Sequence, residues 1–240
     1  MLSIVIPVFN KWNFTEACLN DLRSLPHNTH EIIVVDNNST DETQHKLLNL
    51  FCTEYEEIRY HKNPENLGFA KACNIGYSLS KHPNVMFLNN DIRVKSNKNN
   101  WTDKIIEKCS EGLVGPTMGQ LDSQLKFIKE SNCVLPGNSY LSGWCIAGSK
   151  ETWNKLEIPR KATQQFSNAN VPQIFSEEYG LAYFEDTDLG FRARKLGIKT
   201  NVVDIPVIHF GKQSSSQINT YALYSYARSI FVKKWTNKVP

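Results

Sequence analysis

The feature that most constrains this chain is a set of short, continuously apolar runs, each closed by Asn or Asp and alternating with helical patterns over the first ninety or so residues. Leu2 to Val8 reads as a buried strand, ended by Pro7 and the polar Asn10. Glu31 to Val35 reads as a second, closed by Asp36, Asn37 and Asn38. Ile58 to Tyr60 is a third, and Val85 to Leu88 a fourth that runs into Asn89, Asn90 and Asp91. Between them lie helical patterns. Asn13 with Glu16 predicts a capping box for a helix carrying Cys18, Leu22 and Leu25. Ser39 with Glu42 predicts a second capping box, for a helix with Thr43, Leu47 and Leu50 on one side, and Phe69 to Ser80 a third helix.

Strands that are apolar throughout, rather than alternating, are buried on both faces. The pattern therefore predicts an α/β fold with a mostly parallel sheet flanked by helices. Ligands of such sheets bind beyond the carboxyl ends of the strands. Asn10, Asp36 and Asp91 each follow such an end, which brings them to one edge although they are far apart in sequence.

Beyond Asp91 the pattern is less regular. Gly112 to Pro116 and Gly143 to Ala147 read as strand pieces, and Ser149 to Leu156 as a short helix. Ile158 to Glu178 is a polar stretch with the length of a functional loop or lid. Glu185 to Leu196 is a helix with Leu189, Ala193 and Leu196 inward and Gly197 as its stop. Thr200 to Val203 and Val207 to His209 are extended pieces, and Thr220 to Trp235 is an amphipathic helix. With no repeat or linker, residues 1–240 are read as one domain, with 1–91 as a nucleotide-binding half and 92–240 as an acceptor and catalytic half.

Charge and cysteine usage narrow the partners. A net charge of +3 over 240 residues leaves no basic stripe for nucleic acid. The six cysteines are scattered without Cys-x-x-Cys pairing, which favours a reducing compartment over a disulfide framework or a structural zinc site. No apolar run approaches the about 18 residues of a membrane span, and no basic leader precedes Leu2. The expectation is a cytoplasmic protein, with contact at a membrane surface or with a lipid-linked substrate left open.

There is no Gly-x-Gly-x-x-Gly after the first strand and no Walker lysine, so phosphates must be held another way. Asp91, on a loop behind a buried strand, is a candidate ligand for a divalent cation that neutralises a diphosphate, though a loop-capping Asp has the same look. Asp36 is either a turn former or an acceptor from a ligand N–H, and Asn66, Leu67, Gly68 form a tight loop permitting close backbone approach. Glu185, Asp186 and Asp188 stand at one helix start behind Tyr183 and Phe184. They either complement the helix dipole or include a partly buried general base. His209, in an apolar extended piece, is either a core histidine or a ligand.

Taken in order, these segments resemble the family 2 glycosyltransferases of the GT-A fold. The carriers are Ile4 to Asn10, Ile33 to Asp41, Asn63 to Ala70, Phe87 to Asp91, Gly143 to Lys150, Phe184 to Arg192 and His209. The resemblance implies a metal-dependent inverting transfer of a sugar from a nucleoside diphosphate, a UDP-sugar first among the donors, to a hydroxyl of a glycan or lipid-linked glycan. It implies that Pro7, Phe9, Asn10 and Asp36 hold base and ribose, with Asn66, Gly68, Asn89 and Asn90 lining the nucleotide site. It further implies that Asp91 and His209 hold Mn²⁺ or Mg²⁺, the imidazole favouring Mn²⁺. Asp186 would be the base, with Glu185 beside it and Gly143 and Trp144 in the sugar region.

Asn89 and Asn90 stand where the family more commonly has the first carboxylate of Asp-x-Asp, so an exchangeable metal and an amide contact to ribose are expected. Asn-Asn-Asp resembles a variant frequent among the family's rhamnosyltransferases, which brings a deoxyhexose donor into view. A different class stays open: a nucleotide-sugar- or glycan-binding module without turnover, one domain of a larger transferase. A nucleotidyltransferase would want a Gly-rich phosphate loop where Asn10, Lys11, Trp12 and Asn13 stand.

Overall fold

The computed structural model describes residues 1–26, 29–53, 58–95, 100–159, 171–211 and 220–236. The strands are β1 (Leu2–Val8), β2 (His30–Asp36), β3 (Ile58–Lys62), β4 (Asn84–Leu88), β5 (Ile92–Val94) and β6 (Leu113–Gly115). They continue with β7 (Met118–Leu121), β8 (Phe127–Ser131), β9 (Ser139–Leu141), β10 (Cys145–Ser149), β11 (Thr200–Val202) and β12 (Val207–His209). The helices are α1 (Trp12–Leu22), α2 (Thr43–Thr53), α3 (Gly68–Leu79), α4 (Trp101–Cys109), α5 (Lys150–Lys155), α6 (Glu185–Lys195) and α7 (Thr220–Trp235).

The main sheet has the order β11-β6-β10-β4-β1-β2-β3. β1 pairs in parallel with β2 and β4, and β2 with β3, while β10 runs antiparallel between β4 and β6. The mostly parallel α/β expectation therefore holds. Two smaller sheets flank it, β12-β5 and β8-β7-β9.

Both faces of the sheet are covered, as the unbroken apolar strands require. Leu2, Ile4, Ile6 and Val8 pack with Cys18, Leu19 and Leu22 of α1, Leu47 of α2 and Trp101 and Ile105 of α4. On the other face Val5, Ile33, Val35 and Phe87 pack with Cys73 and Tyr77 of α3, Trp153 of α5 and Leu189 and Ala193 of α6. Each such aliphatic side chain contributes about 1.5–3 kcal/mol on burial. A third cluster joins α7, through Ala227, Phe231 and Trp235, to Tyr179, Phe184 and Phe191.

Pro7 does not end the first strand; it lies inside it, opposite Val35. The Leu2 N–H donates to Thr29 and the Val8 carbonyl accepts from Asn37, so the even-numbered residues bond towards β2 and the odd-numbered ones towards β4. The β1–β4 ladder stops at Val5 and Phe87, before Pro7, and its missing N–H breaks no bond of that ladder.

The two capping boxes do not form. α1 starts after Lys11, which has a left-handed backbone and gives no side-chain cap, and the Trp12 N–H donates to Asp41 Oδ2 at 3.4 Å. Before α2, Asp41 Oδ1 accepts from the Thr43 N–H, while Ser39 Oγ is taken up by Asn10. Ser149 does cap α5, accepting from the Thr152 N–H. Leu196, expected inward, is exposed, because α6 already buries Leu189, Phe191 and Ala193.

Within the expected polar loop, residues 160–170 lie outside the described residues. The following Ile174 and Phe175 are core, fully buried and pinned through both backbone N–H groups to Asn74 Oδ1. Among the described residues no helix is long and apolar enough to cross a membrane.

Candidate active site

The parallel pairing of β1, β2 and β4 brings their carboxyl ends to one edge of the sheet. There the loops after β1 and β2 are stitched together. Asn10 Oδ1 accepts from the Thr40 N–H at 2.7 Å, and the Asn10 N–H donates to Ser39 Oγ at 2.8 Å. Asn10 and Lys11 both hold left-handed backbone conformations, and Asn is among the residues that tolerate that region most readily. Asp36 is fully enclosed; Oδ1 accepts from the Ser39 N–H and Oδ2 from the Tyr60 hydroxyl. It thus fixes the loop, and a ligand N–H would have to use a remaining lone pair. Pro7 and Phe9 are half-buried at the same edge.

Asn63, Asn37 and Gly68 continue the edge: Asn63 Nδ2 donates to Asn37 Oδ1, and Asn37 Nδ2 to the Gly68 carbonyl. Asn66 Oδ1 accepts from the Gly68 N–H at 3.0 Å. The close approach that Gly68 permits is to the chain itself rather than to a ligand. A Cβ there would lie 2.7 Å from the Gly180 carbonyl oxygen, and φ is +84°. The adjacent Phe69 N–H donates to the Leu181 carbonyl, so this loop docks the segment leading to α6 onto the nucleotide edge.

Asp91 and His209 come together through the antiparallel pair of β5 and β12, in which His209 stands opposite Ile92. His209 Nε2 is 3.1 Å from Asp91 Oδ1. That oxygen is buried and nevertheless has no hydrogen-bond partner, the alignment being wrong for one. An imidazole nitrogen and a desolvated carboxylate oxygen converging in this way suit a divalent cation. The His209 ring stacks on Trp144, centroids 4.9 Å apart and planes within 11°, and Trp144 is itself tied by Nε1 to Thr117. Asn89 joins this group, with Nδ2 3.3 Å from His209 Nε2. Asn90 does not: it is buried and donates to Thr15 of α1, which turns it into the helix layer.

The start of α6 supplies the acids. Tyr183 and Phe184 both have positive φ, 80° and 70°, which costs about 1–2 kcal/mol per non-glycine residue. Phe184 is held there by aromatic packing on Phe231, 5.0 Å between centroids, and on Tyr224 at 5.3 Å. The turn presents Glu185, Asp186 and Asp188 in three different environments.

Asp186 Oδ2 accepts from the Gly143 N–H at 2.8 Å, and Oδ1 from the Thr187 N–H at 2.6 Å. Burial raises its pKa, partly opposed by those two donors. A Cβ at Gly143 would sit 3.0 Å from Asp186 Cβ, so the bare glycine lets the carboxylate reach the β9–β10 turn. Glu185 is buried with Oε1 unpartnered, and desolvation lifts it to about 8. Asp188 is fully buried; desolvation would raise it, but Arg192 and Lys234 hold it below the ordinary carboxylate value. Tyr179 Oη and Trp235 Nε1 also donate to it at 2.9 Å, which makes Asp188 the clasp between α6 and α7 rather than a surface dipole partner.

A cavity of about 380 Å³ joins these groups, with His209, Trp144 and Asn89 at its lining together with Glu185, Asp186 and Gly143. Its remaining wall joins Tyr183, of the aromatic pair before α6, to Leu121, Phe127, Tyr140 and Tyr224, which no sequence motif marked. Among the described residues no cluster of three or more His, Cys, Asp or Glu forms around this pair or elsewhere.

A family model described as glycosyl transferase family 2 matches residues 3–114. An uncharacterized glycosyltransferase of Rickettsia bellii is 29% identical over 140 residues, covering 58% of this chain and 16% of the relative. One from Haemophilus influenzae is 24% identical over 237 residues, covering 91% of this chain and 68% of the relative. The chain thus spans less than a fifth of the Rickettsia relatives' length. Among solved structures, GalNAc-T7 with UDP, GalNAc and Mn²⁺ aligns at TM-score 0.66 and 14% identity, over 87% of this chain and 43% of that one. A Pyrobaculum calidifontis mannosyltransferase with GDP-Man and Mn²⁺ aligns at 0.59 and 15%, over 84% and 54%. These likenesses identify the fold as GT-A.

Proposed function

Since residues 3–114 match the glycosyl transferase family 2 model, we propose that the chain is a member of that family and transfers a sugar from a nucleoside diphosphate, with inversion, to a hydroxyl of a glycan or lipid-linked acceptor. The observation that carries this reading is the single cavity shared by His209, beside the orphaned Asp91 oxygen, and by the half-buried Asp186. A diphosphate held at the first would direct its sugar towards the second.

In this reading the edge formed by Pro7, Phe9, Asn10 and Asp36 takes the nucleoside, with the Asn66–Gly68 loop behind it; that a chain of this fold binds a nucleoside diphosphate is supported by the neighbours solved with UDP or GDP-Man. Asp91 and His209 are the residues that would hold Mn²⁺ or Mg²⁺. Such a cation, when bound, neutralises charge on the leaving diphosphate. Asp186 takes the proton of the acceptor hydroxyl; the acceptor oxygen bonds to the anomeric carbon, whose bond to the diphosphate oxygen breaks with its electron pair leaving on the nucleotide. The Gly143 and Thr187 N–H donors orient that carboxylate. Asn89 beside His209 supports an amide contact at the phosphate end.

The test is hydrolysis and transfer with UDP-glucose, UDP-N-acetylglucosamine, GDP-mannose and dTDP-rhamnose, each with Mn²⁺ or with chelator. Metal-dependent release of nucleoside diphosphate from one of them is the expected result. Binding of nucleotide sugars without any release, with or without acceptor, would leave a binding module of a longer transferase, a reading favoured by the small share of the Rickettsia relatives that the chain covers.

A further inference from the structure

The geometry points to an acceptor subsite for a pyranose ring on the aromatic part of the cavity lining, built around Tyr140 and Tyr224 and lying outside the segment that matches the family model. The inference rests on the transferase reading for its direction but on its own residues for its chemistry.

Two groups of side chains in the lining differ in kind. His209 touches Trp144 and Asn89, whereas Tyr224 packs on Tyr183 and Phe184, with Phe127, Tyr140, Asp186 and Thr187 also in the lining. Tyr140 is given room by two glycines. A Cβ on Gly119 of β7 would lie 2.5 Å from the Tyr140 ring, and one on Gly190 of α6 would lie 2.5 Å from Tyr140 Cβ. The small sheet and the catalytic helix both give way to this one side chain. Tyr224, from α7, reaches the same cavity and packs on Tyr183 at 5.7 Å and on Phe184 at 5.3 Å while remaining 36% exposed. Phe127 of β8 is 54% exposed on the cavity's rim.

An apolar aromatic wall beside carboxylate and hydroxyl groups matches a molecule with one C–H face and a polar edge. A sugar ring has that construction: its hydroxyls can donate to the lone pairs that Asp186 and Glu130 keep beyond their bonds to Gly143, Thr187 and Thr117, which an alkyl chain cannot do. Stacked on the tyrosines, a pyranose presents its hydroxyls to the side where Asp186 stands.

Saturation-transfer NMR with methyl α- and β-glucopyranoside, methyl β-galactopyranoside and methyl β-N-acetylglucosaminide, run with UDP and diamagnetic Mg²⁺ present, tests this. At least one should bind the wild-type chain through its ring C–H protons. Tyr224→Ala should weaken it by about fivefold, Tyr224→Phe should restore it, and Tyr221→Ala on the exposed face of α7 should change nothing. Unchanged binding in a folded Tyr224→Ala, no pyranoside binding at all, or preferential binding of n-octanol would each overturn the proposal. UDP affinity, read in the same samples, reports separately on the transferase reading.

Discussion

Asp91 Oδ1 and His209 Nε2 stand 3.1 Å apart across β5 and β12, and the carboxylate oxygen has no hydrogen bond although it is buried. A buried acceptor left in this state costs about 1–3 kcal/mol, which a bound cation would recover. Asp91→Ala should therefore reduce UDP affinity in Mn²⁺ by at least about tenfold, the scale of lost metal-site contacts, and leave affinity in chelator unchanged. Calorimetry in both conditions decides it: equal affinities for wild type and variant, with and without Mn²⁺, would remove the metal from the site.

His209 is joined to the core by stacking on Trp144 and is not itself a core residue, its side chain being 23% exposed. His209→Ala should lose metal-dependent binding while the melting temperature without ligands moves by only a few degrees. A collapse of the melt, with activity per folded molecule preserved, would make the imidazole a packing element.

How much of this was legible depended on how each residue is held. The parallel strands and their Asn and Asp ends could be read because Ile4, Ile33, Val35 and Phe87 lie in unbroken apolar runs. The β7–β8–β9 sheet could not, since Phe127, Ile128, Lys129 and Glu130 are all exposed and leave no alternation to detect. α4 did carry a signal, Trp101, Ile105 and Cys109 being buried at helical spacing. The Ser39 capping box failed because Ser39 and Asp41 spend their hydrogen bonds on Asn10 and Trp12, about thirty residues away in sequence, a tertiary choice that overrides a local motif; the Asn13 box failed because α1 already begins at Trp12. The bond from Asn90 to Thr15 was hidden for a similar reason, its partner lying on another element. Tyr140 and Tyr224 meet at the site through packing alone.

Glu185 makes stability depend on pH with a definite sign. Its carboxyl is raised to about 8 in the folded chain by burial, whereas the unfolded chain titrates near the ordinary 4.5. Between those values the folded state holds the extra proton, so this group's contribution is full below pH 4.5 and is lost as pH rises through 8. Glu185→Gln should flatten that part of the profile. Urea unfolding of both proteins from pH 5 to 9 supplies the comparison, and parallel curves would mean that Glu185 titrates normally.

Asp188 neutralises Arg192 and Lys234 at once and accepts from Tyr179 and Trp235. Removing one member of a buried ion pair costs about 3–5 kcal/mol because the partner charges remain. Asp188→Asn should lower unfolding free energy on that scale and make the C-terminal α7 an early site of hydrogen exchange. Its depressed pKa adds the opposite pH sign to that of Glu185, since the contribution is lost as pH falls into the acid range. A variant as stable as wild type, with α7 still protected, would show that the clasp contributes nothing.

Asp186→Asn separates chemistry from architecture. The amide keeps the size of the carboxylate and an oxygen to accept from Gly143 or Thr187, so the turn at α6 should persist and the melt should barely move. What disappears is a base able to take the acceptor proton, and general-base contributions of about 10²–10⁴-fold set the expected loss in transfer under donor saturation. UDP and Mn²⁺ should bind as before, because Asp91 and His209 are untouched. The rate must be set beside that of Asp188→Asn per folded molecule, since Asp188 acts on the same helix through stability. Near-normal transfer in Asp186→Asn with severe loss in folded Asp188→Asn would assign the proton to the wrong carboxylate and require a different base in the cavity.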